Sequence, residues 1–295
     1  VISKRTIDEK IFLFLSYPVI VFFAVICLIP FVMIISSSFT SEEYILRNGY
    51  SLIPKEFNVE GYRLIFMSPG TIVRSYMVTI CVTVVGTALG VFISTMTGYV
   101  LQRPDFSWRN RFSFLLFFTT LFNGGLVPWY ILITQYLHMR DTIWALIVPS
   151  CISVWNILLA KGFIRSIPYA ITESAKIDGA GDFKIFISLI FPLSKPVVAT
   201  IGLFTALMYW NDWFHAMLFI TDKQLFPLQY FLYRLLGNIQ EMRKVMEESG
   251  IYIPSFPVES MKMALTIVVT GPIIFLYPFV QKYFVKGLTI GSVKG

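Results

Sequence analysis

The sequence predicts an all-α protein built into a membrane, on three observations. Hydrophobic residues make up 56% of its 295 positions and charged ones only 14%, where a soluble domain carries roughly a quarter charged. Six apolar runs each come near the roughly 20 residues that cross a bilayer core as a helix. The stretches between them are too short for a separate soluble catalytic domain.

The runs lie near residues 11–35, 75–101, 112–135, 142–162, 196–220 and 258–281. The first follows Lys4, Arg5 and Lys10, as a secretory signal would, but it is too long for a signal core and has no clear small-residue cleavage site. It is expected to stay as a span. Orientation follows from the basic residues. Segments 1–10, 102–111, 161–195 and 282–295 hold 14 of the 24 Lys and Arg in the smaller share of the loop length, which places them, and both termini, in the cytoplasm. The net charge of +7 then needs no nucleic acid to explain it. The remaining loops face outward. Residues 36–74 are polar and turn-rich, and 221–257 read as one amphipathic helix, or two broken at Gly237. The organisation is thus a cytoplasmic N-terminus 1–10, a first span 11–35, an extracellular loop 36–74, a core 75–281 with a cytoplasmic loop 163–192, and a cytoplasmic tail 282–295.

Cys27, Cys81 and Cys151 sit in apolar stretches, and His138 and His215 are the only histidines. No metal-ligand spacing or disulfide framework results.

The segment ESAKIDGAGDFKIFISLIFP, residues 173–192, is the polar exception. Pro168 suits a first helical turn, where its missing N–H costs nothing. A helix through Tyr169–Ile177 then meets Asp178, Gly179 and Gly181, which carry turn chemistry. Asp182 is placed to cap a second helix, with Phe183, Phe186, Ile187 and Ile190 at helical spacing. Pro192 and Pro196 mark the start of the fifth span. Physics alone fits two readings, a rigid knob projecting from the bilayer or an amphipathic loop lying on the inner leaflet.

The pattern E-S-A-x-x-D-G-A-x5-F-x2-L-x-x-P-x3-P closely resembles the E-A-A-x3-G loop of the permease subunits of bacterial ABC importers, in the form found in their carbohydrate-uptake branch. Glu173, Ala175, Asp178, Gly179, Ala180, Phe186, Pro192 and Pro196 match, and Ser174 replaces a second alanine. The resemblance extends over roughly 70–295. It implies a type I importer permease fold, and a coupling helix that docks in a cleft of a cytoplasmic ATPase. Ala175 and Ala180 would keep the knob narrow, Gly179 make its corner, and Glu173 and Asp178 pair with basic groups or cap backbone. The chain has no G-x-x-x-x-G-K-[S/T] phosphate loop, so ATP and Mg belong to partner chains and no cofactor is expected here. The implied partners are a second homologous permease, two ATPase subunits, an extracellular solute-binding lipoprotein and a carbohydrate, in the plasma membrane of a bacterium.

Two spans carry costly polar groups. In LFTALMYWNDWFHAMLFI, an intramembrane acid such as Asp212 is a functional candidate by default. On a continuous helix Asn211 and His215 share one face, and Tyr209 and Trp213 another. Aromatic rings beside hydrogen-bonding side chains suit a sugar. An outer aromatic belt with Asp212 as a cap or helix partner is the alternative reading. In FFTTLFNGGLVPWYILI, Asn123-Gly124-Gly125 and Pro128, next to Trp129, loosen or kink the helix, either for close packing or for substrate contact. N-G-G-L-x-P and PLQYFLYR, residues 227–234, resemble permeases of polysaccharide and oligosaccharide importers in Gram-positive bacteria. The tail QKYFVKGLTIGSVKG reads as an anchor at the inner surface. By its similarity to the tails of carbohydrate permeases, Gly287, Gly291 and Lys294 are alternatively candidates for ATPase contact.

A secondary transporter or channel is the nearest competing reading. It would call for intramembrane charge pairs or repeated broken helices, where the chain has one embedded acid and no inverted repeat. An intramembrane enzyme lacks its motifs, since neither H-E-x-x-H nor G-x-S-x-G occurs.

Overall fold

The structure, a computed structural model, describes residues 7–67, 69–248 and 257–274. In chain order the helices are α1 (Ile7–Ser38), α2 (Glu42–Asn48), α3 (Glu60–Ile65), α4 (Pro69–Gln102) and α5 (Arg109–Leu121). α6 (Leu126–Ile131) runs on into a wide turn at Leu132–Tyr136, followed by α7 (Trp144–Ile147), α8 (Val154–Ile164) and α9 (Ala170–Ile177). Then come α10 (Asp182–Ile185), α11 (Phe191–Leu193), α12 (Lys195–Trp210), α13 (Phe214–Phe219), α14 (Leu228–Glu248) and a last helix α15 over 258–274. Among the described residues the only β pairing is the bridge Thr40–Phe57.

α1 and α4 are each long and apolar enough to cross a membrane, and three bent pairs bring the possible spans to five. The pairs are 109–121 with 126–136, bent by 116°, 144–150 with 154–164, by 50°, and 182–193 with 195–210, by 84°. The expected sixth span, 258–281, is described only to residue 274, as α15. The chain termini, with Gly287, Gly291 and Lys294 of the tail, lie outside the described residues.

The chain divides into two units. In the first, residues 1–69 and 235–272, the segment after α1 folds back on itself. Phe39 stacks on Phe57 and Tyr62 at centroid distances of 5.6 and 5.0 Å, and Tyr62 donates to Ser38 Oγ at 2.9 Å. Ser41 caps α2 by accepting from Tyr44 N–H. The Glu42 carboxylate accepts from the backbone N–H of Glu259 (2.9 Å) and Ser260 (3.0 Å), so an acid fixed from far away in sequence caps the start of α15, where the helix dipole favours negative charge.

The second unit, residues 70–234 and 273–295, is organised along α4. One hydrophobic cluster joins Val78 and Val82 to Leu146, Ile147, Tyr209 and Phe219. A second joins Val91 and Tyr99 to Ile164, Phe186, Ile190 and Ile201. At 1.5 Å per residue, Val82 and Tyr99 lie about 25 Å apart along α4, so the clusters occupy its two ends. α8 and α12 run antiparallel between them, with Asn156 Nδ2 donating to Thr205 Oγ1 at 3.2 Å. Such a pair satisfies buried polar groups between apolar helices. Gly86 faces the Tyr209 ring so closely that a Cβ there would come within 2.5 Å of it. Tyr209 is thereby seated with its hydroxyl donating to Ile147 O at 2.7 Å.

Two local expectations change, and the choice left open for 221–257 is decided in favour of one helix. The fifth apolar run is not one helix, because α12 ends at Trp210 and α13 resumes at Phe214. Asn211 Nδ2 donates to Leu207 O at 2.8 Å, and Asp212 Oδ1 accepts from His215 N–H at 3.1 Å. Short polar side chains here outcompete the helical ladder, so the faces expected of a continuous helix do not form. α14 passes through Gly237 unbroken; one mid-helix glycine costs about 1 kcal/mol, which its neighbours outweigh. Lastly, Gly181 is the N-cap of α10, and Asp182 stands one place inside.

Candidate functional site

The loop at 170–186 closes on itself through backbone bonds. α9 ends in a Schellman turn: Ala180 N–H donates to Ala175 O at 2.9 Å and Gly179 N–H to Lys176 O at 3.0 Å, the paired bonds that satisfy the last carbonyls of a helix. Gly179 sits at φ 78°, a left-handed conformation that costs other residues about 1–2 kcal/mol. Ala175 and Ala180 meet across this turn and pack on the second cluster. Their small size brings the knob down onto the core.

The outer surface of the knob is different. Glu173, Ser174, Asp178 and Gly179 are exposed, and Ile177 is 87% exposed at the end of α9. Neither Glu173 nor Asp178 has a side-chain partner among the described residues. Phe186 lies inside, 1% exposed, its ring 5.7 Å from Tyr99 and 5.8 Å from Phe191. The matching residues therefore divide into an exposed set and a buried anchor at the root of α10.

A charge cluster missed at the sequence level ties the knob to the end of α4. Arg103 Nε and Nη2 donate to Asp105 at 2.9 and 2.5 Å, and Arg103 Nη1 pairs with Asp182 at 2.8 Å. Lys176 Nζ pairs with Asp105 at 2.5 Å. The guanidinium also lies 5.6 Å from the centre of the Tyr99 ring. Hydrogen bonding from Arg103 holds the Asp105 carboxyl well below the usual carboxylate range, and bonding to Asp105 raises both Arg103 and Lys176. Arg103 and Asp105 sit together in QRPD, but the 71-residue separation from Asp105 to Lys176 hides the clamp from any local pattern.

The candidate pathway residues fall into two groups. Asn123 and Trp129 line one cavity of about 590 Å³ with Gly124, Gly125, Pro128 and Phe214. Asn123 Oδ1 accepts from Gly125 N–H at 2.9 Å, which shapes the break between α5 and α6. Near the α12–α13 break, Asp212 and His215 pair at 2.6 Å, Trp213 stacks on Tyr233 at 4.5 Å, and Asn211 accepts from Gln229 Nε2 at 3.2 Å. Tyr209 is 2% exposed, a support held by Ile147 rather than a cavity wall. Phe214, which pattern reading passed over, brings the α12–α13 region to the cavity of the third apolar run.

The sequence model of the family described as binding-protein-dependent transport system inner membrane component matches residues 90–290. The polygalacturonan/rhamnogalacturonan transport system permease protein YtcP of Bacillus subtilis (strain 168) is 40% identical over 97% of this chain and 99% of its own length. Protein LplC of the same organism is 39% identical, over 92% and 90%. Among solved structures, a bacterial ABC transporter involved in the import of the acidic polysaccharide alginate superposes with a TM-score of 0.81 at 27% identity, covering 95% of this chain and 99% of that one. The chain belongs to the family of binding-protein-dependent transport system inner membrane components, as a permease subunit of the carbohydrate-type ABC importers.

Proposed function

We propose that this permease spans the plasma membrane of a Gram-positive bacterium six times with both termini in the cytoplasm, and passes an oligosaccharide or larger carbohydrate delivered by a solute-binding lipoprotein. It works beside a second, related permease and two ATPase subunits. The knob at 170–180 is the coupling helix, with Glu173, Ser174, Asp178 and the exposed Ile177 meeting the ATPase cleft. Closure of the ATPase dimer on ATP pushes the knob; the clamp and Phe186 carry that displacement into α4 and α12, and the spans rock from inward- to outward-facing. Sugar passes the cavity of Asn123, Trp129 and Phe214, with the Asp212–His215 pair and Trp213 nearby. Gly287, Gly291 and Lys294 of the tail reach the ATPase as well.

The observation carrying this reading is an apolar side chain, Ile177, held out at 87% exposure on a knob braced from below. A single exposed apolar side chain is ordinary by itself; its place at the tip of a turn whose helix-end carbonyls are already satisfied is what suits it to a partner's cleft. Purifying a tagged copy with its native partners tests the reading, with Ile177→Cys then crosslinked. A second permease and an ATPase should co-purify, and the crosslink should reach the ATPase. A chain that emerges alone or as a homodimer, with no ATPase joined to position 177, overturns it.

A further inference from the structure

A second cavity, of about 560 Å³, opens where the end of α4, the start of α5 and the α8–α9 connection meet. Arg109, Asn110, Lys161, Arg165, Ser166 and Tyr169 line it, and among the described residues no acid stands in its wall. Lys161 Nζ donates to Ser113 Oγ at 2.7 Å, and Arg109 Nη1 to Arg103 O at 3.1 Å. Among the described residues none of the three cations has an ion-pair partner, because the nearby Asp105 is committed to Arg103 and Lys176. The α5 N-terminus beside them has no side-chain cap and adds its own positive end. The C-terminal carbonyls of α8 offset only about half a charge, against three full ones.

We propose that this cavity binds the phosphate of an anionic phospholipid headgroup. A cluster of unpaired cations at the end of membrane helices is the chemistry that recognises such a headgroup. The surface leading from the cavity favours a lipid over a free anion. Along α5, directly after Arg109, Phe112, Phe114, Leu115 and Phe118 are 42–66% exposed, an apolar wall fit for acyl chains. Trp108, with Arg111 4.6 Å from its ring, forms an amphipathic pair suited to the headgroup layer. The inference rests on the membrane placement of α5, and it concerns a site separate from the coupling knob and the sugar pathway.

The test uses the assembled transporter, delipidated in detergent and titrated with dioleoylphosphatidylglycerol or dioleoylphosphatidylcholine under native mass spectrometry. Wild type should prefer phosphatidylglycerol. Arg165→Gln should lower its binding about fivefold, near the effect of one basic group at a membrane surface, and Lys161→Gln with Arg165→Gln should lower it further. Lys161→Arg should keep it. Arg165 is exposed, so its single variant decides the matter if the double variant does not assemble. Equal binding of both lipids, or binding untouched by the substitutions, overturns the proposal. So does displacement of the lipid by millimolar inorganic phosphate, which would mark a free-anion site. Binding to the isolated chain but not the assembly would mean that a partner subunit covers the cations, and also overturns it. Each of these outcomes leaves the transporter reading intact, because co-purification of the subunits is scored first.

Discussion

Gly179 separates backbone need from docking need. Among the described residues a Cβ at this position meets nothing within 4 Å, so the cost of replacing it within them is conformational alone. Alanine in the left-handed region costs about 1–2 kcal/mol, and aspartate somewhat less, since its short polar side chain tolerates that region. Strain therefore ranks Gly179→Ala as the worse substitution. If the face at 179 meets an ATPase, the ranking reverses, because aspartate adds bulk and charge at the contact. Gly179→Ala should lower thermal stability modestly and keep the ATPase through purification, whereas Gly179→Asp should remain folded and lose it. An ATPase that stays bound to the aspartate variant as well as to wild type would remove 179 from the interface.

The clamp belongs to the scale of elements, since it ties the loop after α4 to α9 and α10. Asp105 is held below the usual carboxylate range, so its contribution is complete above about pH 4 and is lost as acid titrates it downward from there. Lys176 is raised, so its share is present below about pH 10 and is lost above its folded value. Between those limits the clamp does not titrate. Replacing Asp105 with Asn should lower the melting temperature by a nearly constant amount from pH 5 to 9, with the gap closing only toward pH 4 and below. The size should be modest, since a partly exposed pair contributes about 0.2–1 kcal/mol and Arg103 keeps Asp182. A gap that varies across pH 5–9 would assign the stability to another group. The same elements show what a sequence discloses. The helix, glycine corner and second helix of 169–190 were legible because turn chemistry is local, as was the Asn-Gly-Gly break; the choice of a knob over a loop lying on the leaflet came from the family resemblance. The clamp, the Glu42 cap on α15 and the seat of Tyr209 on Gly86 join residues 71 to 217 apart or from different helices, and no local pattern carries such pairings. The break at Asn211–Trp213 was hidden because the apolar run continues through it, while two short polar side chains take over the backbone bonds.

At the scale of the molecule, the open matter is whether each bent pair crosses the membrane or turns back. Two sets of polar contacts within the second unit bear on it. Lys176 and Asp105 meet at one end, beside the cluster of Tyr99 and Phe186. Asp141 accepts from Thr221 N–H and Oγ1 and from Asp222 N–H at the other, beside the cluster of Ile147 and Phe219. The chain thus passes from the first end at 105 to the second at 141, back to 176, and again to the second at 221. Three passages fit three crossings, even though the pair 109–121 with 126–136 is bent by 116°. Basic residues gather at the end holding 103–111 and 161–195, so that end should face the cytoplasm. Cysteines placed singly at Ser107, Ile177 and Lys223, in a chain with its own three cysteines replaced by serine, test this with a membrane-impermeant thiol reagent on intact cells. Only position 223 should react, with 107 reacting after the membrane is opened and 177 once the ATPase has also been stripped away. Reaction at 107 and 177 alone would invert the orientation. Reaction at 107 and 223 but not at 177 would leave one crossing between 107 and 177 and one between 177 and 223, making one of the pairs 109–136 and 144–164 re-entrant, and the count of six would fall.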